Sequence, residues 1–268
     1  MNTQYKEWIP SVLALAREAA SAIRAVQARK IYEIKSKLDN SPVTEADLVA
    51  HRIIEEGLLA LDPRLPIISE EGAAVPFEVR SQWQQFWLVD PLDGTQQFIR
   101  GTPEFSINIA LVENQRPVLG VVMAPALDQC YWAVQGEGSY MESFPSSFVP
   151  IHTVHPYHSP IKVVVSPRHQ PSMPSWIALS ERLSEYALSY CGSALKICLV
   201  ARGEADLYPQ LGPTSEWDTA AGQCLLEEAG GLLVDLSGKP LRYNTHATLN
   251  NPGFYAMSDV ALRPLCCG

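Results

Sequence analysis

The run Trp87-Leu88-Val89-Asp90-Pro91-Leu92-Asp93-Gly94-Thr95 carries two carboxylates, three residues apart, from an apolar strand-like segment onto a Gly-Thr turn. Asp and Glu oxygens are the hard ligands that Mg²⁺ selects, and Mg²⁺ keeps coordination positions open for phosphate oxygens. Gly94 permits close backbone approach, and a helix opening after Thr95 would aim free N–H groups at the same phosphate. This is the build of a divalent-metal and phosphate site. Two more carboxylates stand at similar places. Glu70 follows the short apolar stretch Pro66-Ile67-Ile68-Ser69, and Asp218 opens a predicted helix after Gly212-Pro213-Thr214-Ser215-Glu216-Trp217. Two Mg²⁺ ions roughly 3.5–4 Å apart would need about four clustered carboxylates, and Glu70, Asp90, Asp93 and Asp218 are the candidates.

Each fragment also has a plain structural reading. Asp-Pro and Asp-Gly mark turns, Glu70-Glu71-Gly72 reads as a solvated loop, Asp218 as an N-cap, and Thr44-x-x-Asp47 as a capping box. These readings are independent of one another, whereas a shared metal site accounts for all of them together. No G-x-S-x-G elbow or P-loop signature offers a rival chemistry.

The elements that must position these residues follow from periodicity. Val12, Leu13, Ala16, Ala19, Ala20, Ile23 and Val26 recur at helical spacing, predicting an amphipathic helix from Ile9 to Lys35. Asp39-Asn40-Ser41-Pro42 breaks it, and a second helix runs from Thr44 to Leu61, stopped by Asp62-Pro63. Strands are predicted at Phe105–Val112, Val118–Met123 and Tyr131–Val134, together forming an antiparallel meander. The stretch from Ser143 to Pro160, rich in Pro, Ser and His, has no clear period and reads as a boundary between lobes. Beyond it come a strand at Ile161–Ser166, helices at Trp176–Tyr186, Ala194–Ala201 and Thr219–Ala229, and strands at Ala205–Tyr208 and Leu232–Asp235. The expected architecture is α/β, with a lobe over residues 1–150 carrying most ligands and a lobe over 151–268 completing the site around one cleft.

Composition bounds what such a site can serve. A 268-residue chain with 47% hydrophobic and 18% charged residues has the material for a sizeable core and argues against disorder. A net charge of −9 argues against nucleic acid or an anionic membrane as the main partner. It also means that phosphate binding requires metal ions or local Lys and Arg. No apolar stretch reaches the roughly 18 residues of a membrane span, and Met1–Trp8 does not read as a secretory leader. The expectation is a soluble cytoplasmic protein without an integral membrane segment. Cys130, Cys191, Cys198, Cys224, Cys266 and Cys267 show no metal-ligand spacing and read as free thiols of a reducing compartment.

Trp87-Leu88-Val89-Asp90-Pro91-Leu92-Asp93-Gly94-Thr95 and, downstream, Trp217-Asp218-Thr219-Ala220-Ala221-Gly222 resemble the paired signatures of the inositol monophosphatase superfamily. The finer resemblance, over nearly the whole chain, is to its 3′(2′),5′-bisphosphate nucleotidase branch, the CysQ type. It rests on Asp39-Asn40-Ser41-Pro42-Val43-Thr44-x-Ala46-Asp47, Ser69-Glu70-Glu71, Gly192-Ser193-x-Leu195-Lys196, Leu207-Tyr208-Pro209, Gly212-Pro213-Thr214 and Leu249-Asn250-Asn251-Pro252-Gly253-Phe254.

The resemblance implies a layered α-β-α-β-α fold and release of the 3′-phosphate of adenosine 3′,5′-bisphosphate, giving AMP and phosphate. Two or three Mg²⁺ ions and inhibition by Li⁺ are implied with it, as is a role in clearing a by-product of sulfate assimilation. Glu70 is then one metal ligand, Asp90 a bridge, the Leu92 carbonyl a ligand of the first ion, and Asp93 and Asp218 ligands of the second. Thr95 with Glu70, or the Thr44–Asp47 pair, would activate the attacking water. The substrate would meet Glu70, Leu92, Asp93, Gly94, Thr95, Gly192, Ser193, Lys196 and Asp218. Relatives also sit peripherally on the cytoplasmic face of the inner membrane, and both monomer and homodimer are compatible with the sequence. Gln96 and Gln97 replace the Lys and Glu that many relatives carry after the Gly-Thr turn, and Gln210 replaces an Arg. Lys196 is therefore the expected basic substrate contact, with a solvated Lys on a helix face as the other reading. An inositol phosphate or sugar bisphosphate phosphatase of the same superfamily, and a catalytically silent metal- or phosphate-binding protein, remain the alternatives.

Overall fold

The computed structural model describes residues 3–29, 34–36, 42–143, 147–168 and 171–267. Helix α1 (Thr3–Ala28) buries Val12, Ala16, Ala19, Ala20 and Ile23 completely. Its last buried position is Val26, and the helix ends at Ala28, short of the Lys35 that the periodicity suggested. Instead β1 (Ile34–Ser36) pairs antiparallel with β2 (Pro42–Thr44). The predicted break at Asp39-Asn40-Ser41 lies outside the described residues. Helix α2 (Glu45–Leu61) starts at a Thr44 N-cap and is followed by β3 (Ile67–Ser69) and the short α3 (Phe77–Arg80).

The chain then builds β4 (Gln85–Asp93), α4 (Thr95–Arg100), β5 (Ser106–Glu113), β6 (Arg116–Ala124), β7 (Gln129–Val134), β8 (Gly138–Ser143) and β9 (Ser147–Ile151). Strands β3 to β9 form one seven-stranded sheet in sequence order, antiparallel except for the parallel β3–β4 pair. The predicted meander is its centre. β8 and β9 lie where the sequence showed only a turn and an aperiodic stretch, because the edge strand β9 is mostly exposed and lacks an apolar alternation.

The second half supplies β10 (Ile161–Val165), α5 (Pro174–Leu183), β11 (Tyr186–Tyr190), α6 (Leu195–Ala201), β12 (Leu207–Gln210), β13 (Thr214–Ser215), α7 (Ala220–Glu228), β14 (Leu232–Asp235), β15 (Asn250–Asn251), β16 (Phe254–Met257) and α8 (Arg263–Cys266). Five of these strands form a sheet in the order β11-β10-β12-β16-β14. Tyr186, expected in a helix, begins the edge strand β11. The wholly buried β16 went unread because four apolar residues are too few to show a period.

Alternation along the strands explains the layers. Trp87, Val89, Ile107 and Ile109 pack with α1 and α2, whereas Phe86, Leu88, Ala110 and Val122 pack with α6 and α7. Both faces of the large sheet are covered, so its central strands read as continuous apolar runs. Helices α6 and α7 also touch Val164, Tyr208 and Leu233 of the second sheet, whose far face holds Trp176, Leu179 and Leu183 of α5 and Cys266 of α8. The order is helix pair, sheet, helix pair, sheet, helices, which is the expected five-layer α/β fold. Among the described residues no helix is long and apolar enough to cross a membrane.

Candidate active site

A register shift in β4 is what brings two of the carboxylates together. Residues three apart in a regular strand point to opposite faces. Here Asp90 pairs with Asn108 and Asp93 with Ser106, so a three-residue step on β4 faces a two-residue step on β5. The extra residue is a bulge, which restores the parity and turns both carboxylates to one face. Pro91, which has no ladder donor, sits inside it. The Asp90 carboxylate accepts from the Leu92 N–H at 2.9 Å, a bond within the bulge. Asp93 accepts from the Ala194 N–H at 2.6 Å.

Asp218 arrives from the other half of the chain, on a 3₁₀ turn (Glu216–Asp218), where a helix start was expected. Its Oδ2 accepts from the Ser215 N–H at 2.8 Å, so it completes a capping box as well as facing the site. One carboxylate oxygen from each of Asp90, Asp93 and Asp218 lies within 4.8 Å of the others. Glu70 stands outside this tight triple. Its backbone is tied to β4 through Glu70 N to Val89 O at 3.1 Å, and its negative charge raises the proton affinity of all three Asp.

Burial dominates those shifts. The Asp90 carboxyl is held well above the ordinary carboxylate range by desolvation, then by Glu70, Asp93 and Asp218. Asp218 is likewise held well up by desolvation and Asp93, and Asp93 is raised by desolvation although Lys196 and the Ala194 N–H oppose it. Burial and mutual repulsion both favour the protonated form of these carboxyls. An all-oxygen set under mutual repulsion, with Asp90 only 1% exposed, fits a hard divalent cation that displaces such a proton.

Beside the cluster, Thr44, Asp47 and Thr95 form one connected set. Thr44 makes the predicted capping box, its N–H and Oγ1 both donating to Asp47 Oδ2 at 2.8 and 2.7 Å. The other Asp47 oxygen accepts from Thr95 Oγ1 at 3.1 Å, and Thr95 Oγ1 also lies 3.3 Å from the Leu92 carbonyl. The Thr44–Asp47 pair is thus both a helix cap and a hydrogen-bond partner of Thr95. Burial raises the Asp47 carboxyl, against the pull of its Thr44 and Thr95 donors. Gly94 precedes Thr95 at φ +93°, and a Cβ there would stand 3.2 Å from the Glu104 carbonyl, so the turn requires glycine.

A cavity of about 350 Å³ opens next to the cluster, lined by Asp93, Gly94, Ser193, Lys196 and Asp218 among others. Lys196 is 6% exposed, which rules out the solvated reading. Its Nζ donates to the Ser193 carbonyl at 2.7 Å and lies 4.9 Å from the Tyr208 ring centroid. Desolvation lowers its proton affinity, opposed first by Asp93. Gly192 does not line the cavity. A Cβ there would be 2.5 Å from the Glu104 carbonyl, and this close packing brings Ser193 and Ala194 up to Asp93. Of the departures from related sequences, Gln97 and Gln210 face the cavity, whereas Gln96 is not among its lining residues.

Some contributors were not legible in sequence. Arg80, Asn244 and Glu216 form a buried set behind the Asp218 turn. Asn244 N–H donates to Glu216 at 2.8 Å, and the Arg80 and Asn244 side chains each hydrogen-bond the other residue. Burial pushes the Glu216 carboxyl up to about 7. Arg168 and Ser166 also line the cavity, beside Tyr208 and Thr214 of the motifs quoted above, brought there by tertiary folding that local patterns do not encode. The six cysteines are free, and burial pushes Cys191 up to about 11 and Cys130 and Cys266 up to about 12, so none is poised as a thiolate.

A two-sheet layered fold with an acidic cluster at a strand bulge defines the class. The profile of the inositol monophosphatase family matches residues 4–262, and the chain belongs to that family. Within it, the similarity is to bisphosphate nucleotidases. The 3′(2′),5′-bisphosphate nucleotidase CysQ of Salmonella typhimurium is 42% identical over 92% of this chain and 98% of its own length, and that of Shigella flexneri 41% over the same shares. Among solved structures, CysQ from Bacteroides thetaiotaomicron superposes with a TM-score of 0.77 at 36% identity, over 92% of this chain and 96% of that one.

Proposed function

We propose that the chain is a Mg²⁺-dependent 3′(2′),5′-bisphosphate nucleotidase that hydrolyses the 3′-phosphate of adenosine 3′,5′-bisphosphate to AMP and phosphate. The single observation that carries the chemistry is the convergence of Asp90, Asp93 and Asp218, within 4.8 Å, with Asp93 and Asp218 lining the cavity. Glu70, Asp90, Asp93, Asp218 and the Leu92 carbonyl would hold the ions. When bound, Mg²⁺ neutralises phosphoryl charge and makes a water more acidic.

The chain's own residues do the rest. Thr95 Oγ1 has one proton, which it gives to Asp47, so its lone pairs are free to accept a proton from the attacking water. Asp47, whose proton affinity is raised by burial, is the group to which that proton passes through Thr95. Thr44 fixes Asp47 through two hydrogen bonds. Glu70 adds negative charge that acts on the three Asp of the cluster. Gly94 and Thr95 cradle the phosphoryl oxygens. Phosphoryl transfer asks mainly for positioning and charge neutralisation, and direct in-line attack by water needs no covalent enzyme intermediate.

Lys196 borders the cluster through Asp93 and compensates charge near the phosphate that leaves. Phosphate release from adenosine 3′,5′-bisphosphate and from inositol 1-phosphate, compared at equal concentration with Mg²⁺, tests the substrate class. The nucleotide is expected to be the better substrate by at least about tenfold, equivalent to roughly 1.4 kcal/mol of transition-state preference. A preference for the inositol ester would reassign the chain within its family, and inertness toward both would favour the silent binding protein.

A further inference from the structure

The cavity beside the carboxylates is continuous in its lining with a second cavity of about 290 Å³. Ser166, Arg168 and Gln210 line both. The acidic residues Asp93 and Asp218 face only the first, and the apolar Val165, Met173 and Leu211 face only the second. These three polar side chains therefore mark the passage between a place built for a cleaved phosphate and a place with apolar walls.

Two cations line the first cavity among the described residues, Lys196 and Arg168. Lys196 is committed: buried, bonded to the Ser193 carbonyl, set against the Tyr208 ring and electrostatically coupled to Asp93. Arg168 is its opposite. It is exposed, and among the described residues its one hydrogen bond is from the backbone, Arg168 N–H to Ser166 Oγ at 3.3 Å. Its guanidinium takes no partner among the described residues. Gln210, the other polar group at the passage, is neutral, held by Tyr208 Oη at 2.8 Å and by the Gly212 carbonyl at 3.3 Å. In a chain of net charge −9, a substrate dianion away from the metal ions needs a cation of its own, and a planar guanidinium is suited to phosphate.

We infer that Arg168 binds the phosphate that is not cleaved and is the residue through which this chain prefers bisphosphates over monophosphates. This rests on the nucleotidase reading above. In it, Lys196 serves the phosphate that leaves and Arg168 the phosphate that stays, with Ser166 and Gln210 lining the same two cavities beside it.

The test compares kcat and KM for adenosine 3′,5′-bisphosphate and adenosine 3′-monophosphate in wild type, Arg168→Gln and Arg168→Lys. The wild type is expected to favour the bisphosphate. Arg168→Gln should raise KM for the bisphosphate roughly ten- to a hundredfold, leave kcat in place and leave the monophosphate unchanged. Arg168→Lys should fall between. A double variant, Arg168→Gln with Gln210→Arg, should recover part of the preference by returning charge to the same passage. Equal losses on both substrates, or no loss on either, would overturn the inference, as would a wild type indifferent to the second phosphate. A wild type that hydrolyses neither nucleotide sinks the nucleotidase reading itself, a result distinct from all of these.

Discussion

Asp90→Asn is expected to cost at least about 10³-fold in activity while making the metal-free protein more stable. The two effects share one cause. Asp90 is 1% exposed and meets the fields of Glu70, Asp93 and Asp218. Asn has the same shape and keeps an oxygen for the Leu92 N–H, so the bulge survives, but the charge that attracts the ions is gone. The sign of the stability change follows from linkage. The folded carboxyl binds its proton more tightly than an unfolded Asp near 3.9, so its contribution is full below that pH and is lost as pH rises through the raised folded value. The advantage of Asn should therefore vanish near pH 4 and grow toward neutral and alkaline pH, at about 2–4 °C in Tm per kcal/mol for a chain of this size. Mg²⁺ should raise Tm of the wild type and leave that of the variant where it was. Thermal melts across pH, with and without Mg²⁺, read all three. A variant that melts lower without metal yet keeps the Mg²⁺ shift would mean that the cluster is not the ion site.

Thr95→Val should lower kcat by about 10²- to 10⁴-fold with KM and the Mg²⁺-induced Tm shift unchanged. Among the described residues the Thr95 hydroxyl makes no hydrogen bond to the carboxylate triple. It bridges to Asp47 and to the Leu92 carbonyl. Val matches its volume and removes the lone pairs that orient the water, so metal and substrate binding remain and proton removal fails. Thr95→Ser, which restores the hydroxyl, should restore most of the rate. Asp47→Asn is less clean because Asp47 also completes the cap of α2, and breaking a cap costs about 1 kcal/mol. Single-turnover rates for Thr95→Val and Thr95→Ser decide the matter: equal rates would assign water activation to Glu70 alone.

The parts of this site that sequence displays are those whose ligands are local. Asp90, Asp93 and Gly94 announce themselves because a strand, a bulge and a glycine turn sit within one short run. Even the bulge was present in principle, since Pro91 between carboxylates three apart cannot belong to a regular ladder. Asp218 is visible through Trp217-Asp218-Thr219, although its 3₁₀ turn and the buried Arg80–Asn244–Glu216 set behind it are not, because that set joins residues more than 160 positions apart. The Thr44–Asp47 pair shows as a cap and hides its bond to Thr95, 48 residues on. Lys196 read ambiguously because α6 lies between two sheets and its burial on both sides depends on strands distant in the chain. Arg168 carried no local signal at all. It is an exposed residue after β10 that acquires meaning only from the cavity it lines. In the fold, the central strands were readable from apolar runs, whereas the edge strands β9 and β11 were not, since exposed edges need no apolar pattern.

Hydrolysis at the Asp90–Asp93–Asp218 cluster with Mg²⁺ should remove the 3′-phosphate and leave the 5′-phosphate in place. ³¹P NMR of adenosine 3′,5′-bisphosphate turned over by the enzyme resolves the two phosphates directly. The expected spectrum gains AMP and inorganic phosphate, retains the 5′ signal, and stops changing when the metal is chelated. Accumulation of adenosine 3′-monophosphate, or turnover that continues undiminished under chelation, would contradict the account.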